Sequence, residues 1–198
     1  MMDKVGSYRE NRERLARRLR TLWTWELFDS FFFPALIVFY ARALQRSVGP
    51  STIYSVGLVT WLLWQGSAYW WLKLQALRTE AEIETKHLRW FRVLKRLNWI
   101  LIGLLPISLA VKGLMSTSFA STFDLVASMA LWGLAVLEQV NYYYYQLMYD
   151  YAPDWRYLIK QKKLKRSSLR RALERTEGPV QESESDSFKA SSEQEKGD

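Results

Sequence analysis

The sequence predicts an all-α integral membrane protein with four transmembrane helices and cytoplasmic amphipathic helices. Three observations support this fold class. Four mostly apolar segments approach the length of about 20 residues that a membrane-spanning helix needs. Tryptophans and tyrosines gather near the ends of these segments, as aromatic side chains do at a membrane interface. Basic residues alternate between many and few from one connection to the next, which is the pattern that sets membrane topology.

The chain opens with a basic segment, residues 1–21, which we predict to be a cytoplasmic helix that leads into the first span at about 22–42. Seven lysines and arginines precede this span. The apolar run "FFFPALIVFYA" within it has no polar face for water, which argues against a soluble helix bundle. No small-residue cleavage site follows the run, so we expect it to remain as a membrane anchor.

The remaining spans are predicted at about 52–73, 98–115 and 122–142. Together the four spans and their connections form a predicted transmembrane domain over 22–151. Only Arg42 and Arg46 lie near the first loop and only Lys112 lies near the third, whereas seven basic residues lie in the stretch from Lys73 to Arg96. Because cytoplasmic loops carry the excess of lysine and arginine, both termini are predicted to be cytoplasmic.

The cytoplasmic connection 74–97 contains neither glycine nor proline, so we predict that it is helical for most of its length. We expect a turn near Glu82–His87, which would make the second and third spans project as a helical hairpin. Trp90 and Phe91 would lie on one side with arginines and lysines around them. This pattern is typical of an interfacial helix or of a face that docks a partner.

After the fourth span, Pro153 is expected to end or kink the helix. Residues 152–176 are then predicted to form a basic amphipathic cytoplasmic helix. Residues 177–198 contain two lysines and seven acidic residues, so they carry a net charge of −5 and leave +13 on the rest of the chain. We predict this acidic tail to be disordered. The basic body predicts an anionic partner, and anionic lipid headgroups are favoured over nucleic acid because the basic segments are tethered beside a bilayer.

Composition excludes several classes of active site. The chain has no cysteine and a single histidine, His87, which excludes disulfides, thiol catalysis, iron–sulfur centres and multi-histidine metal sites. Glu84 and His87 form one Glu-x-x-His spacing, whereas di-iron bundles use two. No phosphate loop, nucleophile elbow or dinucleotide fingerprint is present. The sequence therefore predicts no metal and no cofactor.

Polar side chains from all four predicted spans fall at one depth on the cytoplasmic side. Such groups are costly in a bilayer, which makes them candidates for a functional site. Glu26 and Asp29 share a face of the first span, and Glu138 shares a face with the tyrosines that follow it. The candidate polar layer consists of Glu26, Asp29, Lys73, Asn98, Glu138, Asn141, Tyr142 and Tyr145.

Glu138 is the least expected member of this layer. It lies toward the C-terminal end of a helix, where the helix dipole disfavours a carboxylate. We therefore expect Glu138 to pair with Lys73 or to hold a proton. Structural packing with interfacial anchoring is the favoured interpretation of the layer, and a cytoplasm-facing ligand pocket is the alternative.

The sequence alone predicts no defined biochemical activity. The leading interpretation is a non-catalytic interaction or assembly protein whose basic cytoplasmic helices lie on anionic lipid. One alternative is a membrane-embedded enzyme that acts on a lipid or isoprenoid through the carboxylates of the polar layer. A second alternative is a small transporter or channel subunit. A protein partner and a homo-oligomer both remain open.

Overall fold

The computed structural model describes residues 2–114, 121–147 and 164–176. The secondary structure in these ranges is helical, apart from one isolated bridge between Tyr145 and Arg166. The five helices are α1 (Met2–Ala43), α2 (Pro50–Thr79), α3 (Thr85–Leu114), α4 (Thr122–Tyr143) and α5 (Ser168–Arg175). The predicted tail at 177–198 and much of the predicted helix at 152–176 lie outside the described residues.

Three of these helices are long and apolar enough to cross a membrane. They are the segments Glu10–Ala43 of α1, Thr85–Val111 of α3 and Thr122–Tyr143 of α4. The predicted fourth span at 52–73 falls on α2, which is 30 residues long but is not among them. Polar residues such as Gln65 and Ser67, which α2 buries inside the protein, lower the mean hydropathy of this helix.

Helix α2 is the centre of the fold, and both α1 and α4 pack along it. Its leucines and valines form the main apolar core with residues of α3 and α4. This core consists of Leu58, Val59, Leu62, Leu63, Ile102, Leu131 and Ala135. Outward-facing aromatic residues of α1, including Phe31 and Phe39, remain exposed, as expected for a surface that meets lipid rather than water.

One buried carboxylate joins the first turns of α2 and α4. Ser121 caps α4 by accepting a hydrogen bond from the backbone N–H of Asp124 at 3.0 Å. The Asp124 carboxylate accepts bonds from the backbone N–H and the hydroxyl of Thr52, at 2.9 and 2.7 Å. Gly49 is needed here, because a Cβ at this position would meet the Asp124 carboxylate at 2.4–2.6 Å. The two helix starts are therefore fixed to each other.

The turn between α2 and α3 comes slightly earlier than the Glu82–His87 stretch suggested. Helix α2 ends at Thr79, Glu80 adopts a left-handed conformation with φ of 55°, and α3 begins at Thr85. Arg12 of α1 pairs with the Glu80 side chain and donates to the carbonyl of Leu77 at 2.7 Å. Carbonyls at the end of a helix lack intrahelical partners, so Arg12 helps to satisfy the end of α2.

A second apolar core holds α5 against the ends of the long helices. It contains Tyr69, Leu88, Phe91, Tyr142, Tyr143, Leu169 and Leu173. The Ser167 hydroxyl caps α5 and also donates to the carbonyl of Tyr142 at 2.6 Å. Backbone bonds from Gln146 to Lys165 and from Ser167 to Tyr144 support the same junction. These contacts bring α5 over the end of the helix bundle.

Candidate functional site

A cavity of about 140 Å³ lies where α1, α2, α4 and α5 meet. We call it the inner pocket and define it by Leu19 and Glu26 of α1, Tyr69 and Lys73 of α2, Tyr142 of α4 and Arg171 of α5. It adjoins a wider cleft of about 680 Å³, and the two share Lys73, Ser168 and Arg171 as walls. The inner pocket has room for a headgroup-sized ligand or several waters, but not for a whole lipid.

Cations dominate the outer part of this site. Lys73, Arg171 and Arg175 line the inner pocket or the adjoining cleft, and we call these three residues the cation cluster. Arg18 and Lys165 also lie close enough to act on the Lys73 charge, as do Arg171 and Arg175. Lys73 is half-buried, whereas Arg171 and Arg175 are exposed at the mouth of the site. Like charges repel at this close range, and an anion between them would relieve the repulsion.

The cation cluster has no carboxylate partner in the part of the chain that the structure describes. Lys73 instead donates to the Ser168 hydroxyl at 2.5 Å. Its ammonium also lies over the rings of Tyr69 and Trp70, at 5.9 and 5.5 Å from their centroids. Cation–π contacts of this kind stabilise a lysine charge only modestly. None of these contacts is an ion pair, so the three cations have no paired carboxylate among the described residues, although Glu80 and Glu82 also line the cleft.

A neighbouring face of α5 is electrostatically balanced. Arg170 lies 2.7 Å from Glu174, four residues along the helix, and Arg166 lies 3.3 Å from the same carboxylate. The hydrogen bond from Arg170 lowers the pKa of the Glu174 carboxyl below its ordinary value. Arg171 and Arg175, by contrast, lie against the cavities. Arg171 and Arg175 are exposed and Arg170 and Glu174 are half-buried, so the two sets of charges differ in their ion-pair partners among the described residues and not in burial.

Glu26 forms the deepest polar part of the inner pocket. Its Oε1 accepts a hydrogen bond from the indole nitrogen of Trp70 at 2.6 Å. Its Oε2 is shielded from solvent and has no partner at hydrogen-bonding geometry among the described residues. The Tyr142 hydroxyl lies beside both Glu26 and Glu138, so it separates the two carboxylates. Asp29 is half-buried and near enough to act on both charges.

Close approach at this level depends on Gly66 of α2. A Cβ at this position would collide with Glu26 Oε2, and it would lie 2.4 and 2.5 Å from Cζ and the hydroxyl of Tyr142. The absence of a side chain lets α1 and α4 place Glu26 and Tyr142 against the α2 backbone. Gly66 is therefore a structural requirement of the inner pocket.

The structure brings four of the predicted polar-layer residues into the inner pocket and places a fifth beside it. Glu26, Lys73, Asn141 and Tyr142 line the pocket, and Glu138 lies next to Tyr142 and Asn141. No ion pair between Glu138 and Lys73 forms among the described residues, because Lys73 is directed to Ser168 on α5. The expected partner of Glu138 is replaced by neutral hydrogen-bonding groups.

Asn98 belongs to a different cluster from the inner pocket. Its amide nitrogen donates to Gln65 and Gln139, both at 2.9 Å, and its oxygen accepts from Gln65 and Trp61, both at 3.1 Å. The Tyr143 hydroxyl donates to Gln65 at 2.8 Å, and Gln139 donates to the carbonyl of Lys95 at 3.1 Å. We call Gln65, Asn98, Gln139 and Tyr143 the amide cluster.

Tyr145 lies outside the inner pocket and is exposed. It pairs with Arg166 in the isolated bridge, and the Arg170 guanidinium lies 5.8 Å from its ring centroid. His87 Nδ1 lies 3.6 Å from Glu84 at the start of α3, and neither residue lines the two cavities. Among the described residues, no group of three or more histidines or acidic side chains could hold a metal ion.

Several pocket residues were not expected from the sequence. Ser168, Arg171 and Arg175 come from a segment whose position relative to the spans the sequence does not specify. The sequence around Gly66 and Trp70 gave a weak indication of a buried face, since α2 repeats small or polar residues along the face that holds Gln65 and Tyr69. A helical face that is polar within an apolar span indicates burial against protein, and that pattern identifies α2 as the centre of the site.

A scan against protein-family models, a search of curated proteins and a search of solved structures each returned no match.

Proposed function

We propose that this chain is a four-span membrane protein with both termini in the cytoplasm, and that it binds an anionic phospholipid headgroup in the inner pocket. Along α2, the 22 residues from Thr52 to Lys73 span roughly 32 Å, close to the thickness of a hydrocarbon core of about 30 Å. Thr52 lies in the polar contact with Asp124, and Lys73 lies in the inner pocket. These two polar sites lie at the spacing that two membrane surfaces would require.

The orientation follows from the charges at these two ends. The end that holds Lys73 also holds Arg12, Arg18 and the arginines of α5, whereas the end that holds Asp124 has few basic residues. The positive-inside rule places the basic end in the cytoplasm. In this orientation the inner pocket opens at the level of cytoplasmic headgroups, where anionic lipids concentrate.

The proposal that the ligand is anionic rests on the cation cluster. Lys73, Arg171 and Arg175 converge on adjoining cavities, with no carboxylate partner in the ranges described. A phosphate group supplies several acceptor oxygens and a negative charge, which suits a lysine and arginine set. Leu15, Leu19 and Leu22 provide an apolar wall beside the cations, as the chain region of a lipid would need.

Binding rather than catalysis is the role that these contacts favour. Of the carboxylates that the enzyme alternative would use, Glu26 accepts a bond from Trp70 through Oε1 and Glu138 lies against Tyr142 and Asn141, so these two already have neutral neighbours. A bound lipid would tie α1, α2 and α5 together. This role accords with an interaction or assembly protein that rests on anionic lipid.

Lipid retention by the full-length protein tests the proposal. The protein is purified in a mild detergent, mixed with equal amounts of phosphatidylglycerol and a neutral glycolipid without phosphate, and examined by native mass spectrometry. We expect wild type to retain phosphatidylglycerol in preference, and the double variant Lys73→Gln, Arg171→Gln to lose that preference.

The matched control is Lys86→Gln, Arg89→Gln, which removes the same charge from two exposed residues of α3 outside both cavities. It should retain phosphatidylglycerol like wild type. Circular dichroism and gel filtration confirm that each variant is folded. Equal retention of both lipids by wild type, or an equal loss in both double variants, would overturn the proposal.

A further inference from the structure

Helix α5 is too short to hold its structure alone. It has eight residues, and isolated helices shorter than about 12–15 residues are marginal in water. Its apolar anchors are Leu169 and Leu173, which are 3% and 7% exposed in the second apolar core. Ser167 adds hydrogen bonds to the end of α4. The helix therefore depends on these contacts with the ends of the long helices.

Electrostatic repulsion opposes this docking. Arg171 and Arg175 of α5 come close to Lys73 of α2, and Arg18 of α1 lies close enough to act on the same ammonium. The direct polar bonds between α2 and α5 are those that the Ser168 hydroxyl accepts from Lys73 and Tyr69, at 2.5 and 3.0 Å. A neutral hydroxyl does not offset the repulsion between these cations. An anion between the helices would convert that repulsion into attraction.

We propose that α5 is an anion-dependent clasp, which closes over the inner pocket when a phosphate group binds between Lys73 and Arg171 and opens when the pocket is empty. This inference rests on the proposed function, because it makes the headgroup both the ligand and the group that fastens α5. The phosphate of a phospholipid and free inorganic phosphate share this chemistry.

Amide hydrogen exchange at α5 measures the clasp directly, because exchange reports local opening. The full-length protein is compared in nanodiscs of phosphatidylcholine alone and of phosphatidylcholine with phosphatidylglycerol. In detergent it is compared in chloride and in inorganic phosphate at equal ionic strength. We expect phosphatidylglycerol to slow exchange at residues 169–175 by about tenfold or more, while the amides of α2 near Leu62 stay unchanged. Lipid retention is measured on the same samples.

Two variants separate the clasp from simple stabilisation. Lys73→Gln keeps a hydrogen-bond donor near Ser168 but removes one of the repelling charges, so α5 should exchange slowly even without phosphate and should lose its response to it. Leu173→Ala removes an apolar anchor and should leave α5 open in every condition. Lys86→Gln, which lies outside both cavities, should respond like wild type.

The outcomes distinguish the two proposals. If phosphatidylglycerol is retained but exchange at α5 is the same with and without it, the clasp is overturned and the proposed function stands. Protection by inorganic phosphate without retention of phosphatidylglycerol supports the clasp and overturns the lipid as its ligand. If no phosphate source changes exchange at α5 and no lipid is retained, both proposals are overturned.

Discussion

The amide cluster and the inner pocket are two polar sites that differ in how completely their polar groups are paired. In the amide cluster Asn98 and Gln139 are fully buried, and each of their side-chain amide groups has a partner. In the inner pocket Glu26 Oε2 has no partner at bonding geometry among the described residues, and the cation cluster has no anion there. The amide cluster thus satisfies its own polar groups, whereas the inner pocket has cations without a paired anion among the described residues.

This difference separates a polar site that builds the fold from one that is ready to bind. Neutral amides can satisfy one another inside a membrane protein, because each side chain offers both a donor and an acceptor. A set of lysines and arginines offers only donors, so it needs an acceptor from elsewhere. A cluster of buried polar residues therefore does not by itself indicate a binding site, whereas a cluster of cations without paired anions does.

The largest expected loss of stability comes from a substitution in the amide cluster. Asn98→Ala removes the groups that bond Trp61, Gln65 and Gln139, and leaves their buried donors and acceptors without partners. We expect the free energy of unfolding to fall by about 2–3 kcal/mol, since each unsatisfied buried group is costly. Reversible unfolding in mixed detergent micelles, followed by circular dichroism, measures this change.

Lys73→Gln provides the comparison in the inner pocket. It alters one hydrogen bond to Ser168 and reduces repulsion within the cation cluster. Its unfolding free energy in the absence of phosphate should stay within about 1 kcal/mol of wild type. A larger loss for Lys73→Gln than for Asn98→Ala would contradict the distinction between the two sites.

Gly66 allows the close approach of Glu26 and Tyr142 to α2, and a substitution there should also lower stability. Gly66→Ala places a Cβ against Glu26 and Tyr142, and we expect it to destabilise the protein by about 1–3 kcal/mol through overpacking. Gly57→Ala is the matched control on the same helix, since its Cβ would meet nothing within 4 Å. Alanine is the better helix former, so Gly57→Ala should be neutral or stabilising. Thermal unfolding of both variants measures the difference.

The double variant Gly66→Ala, Glu26→Ala tests the cause of this loss. If the collision with Glu26 is responsible, shortening that side chain should recover part of the stability, and the two changes should be non-additive. Equal destabilisation by Gly66→Ala and Gly57→Ala would instead show that the close approach at Gly66 has no energetic importance.

Much of the helical architecture could be predicted from the sequence, because apolar length and basic alternation are properties of local segments. The spans at 22–42, 98–115 and 122–142 fall on helices that are apolar enough to cross a membrane. The segment predicted as a span at 52–73 falls on α2, which is not among these helices because its buried polar residues lower its hydropathy. That α2 crosses the membrane remains part of the proposal.

The candidate site was predictable only in part, for a physical reason. The depth of Glu26, Lys73 and Tyr142 follows from their positions along spans, and the structure gathers them. Asn98 lies at a similar position along its helix but faces Gln65 and Gln139 instead. The sequence indicates depth along a helix, whereas rotation about the helix axis depends on packing. The contribution of α5 depends on tertiary contacts that no local pattern encodes.

The smallest expected effect concerns the ion pair between Arg170 and Glu174, which contrasts with Arg171 and Arg175 on the same helix. The pKa of Glu174 is lowered mainly by its hydrogen bond from Arg170, so the folded helix binds this proton less readily than the unfolded chain. The stabilisation is present above the ordinary carboxyl pKa and is lost as the pH falls through the lowered one. Because the pair is exposed, the loss should be below about 0.5 kcal/mol.

Hydrogen exchange at α5 across this acidic range, with phosphatidylglycerol held constant, should show slightly faster opening at low pH in wild type, and Glu174→Gln should remove that dependence. The cation cluster keeps its charge throughout the range, because lysine and arginine stay protonated in acid. A pH response that persists in Glu174→Gln would therefore point to the lipid phosphate or to the buried carboxylates of the inner pocket. In that case the two faces of α5 would not be electrostatically independent, and the clasp would have to include both.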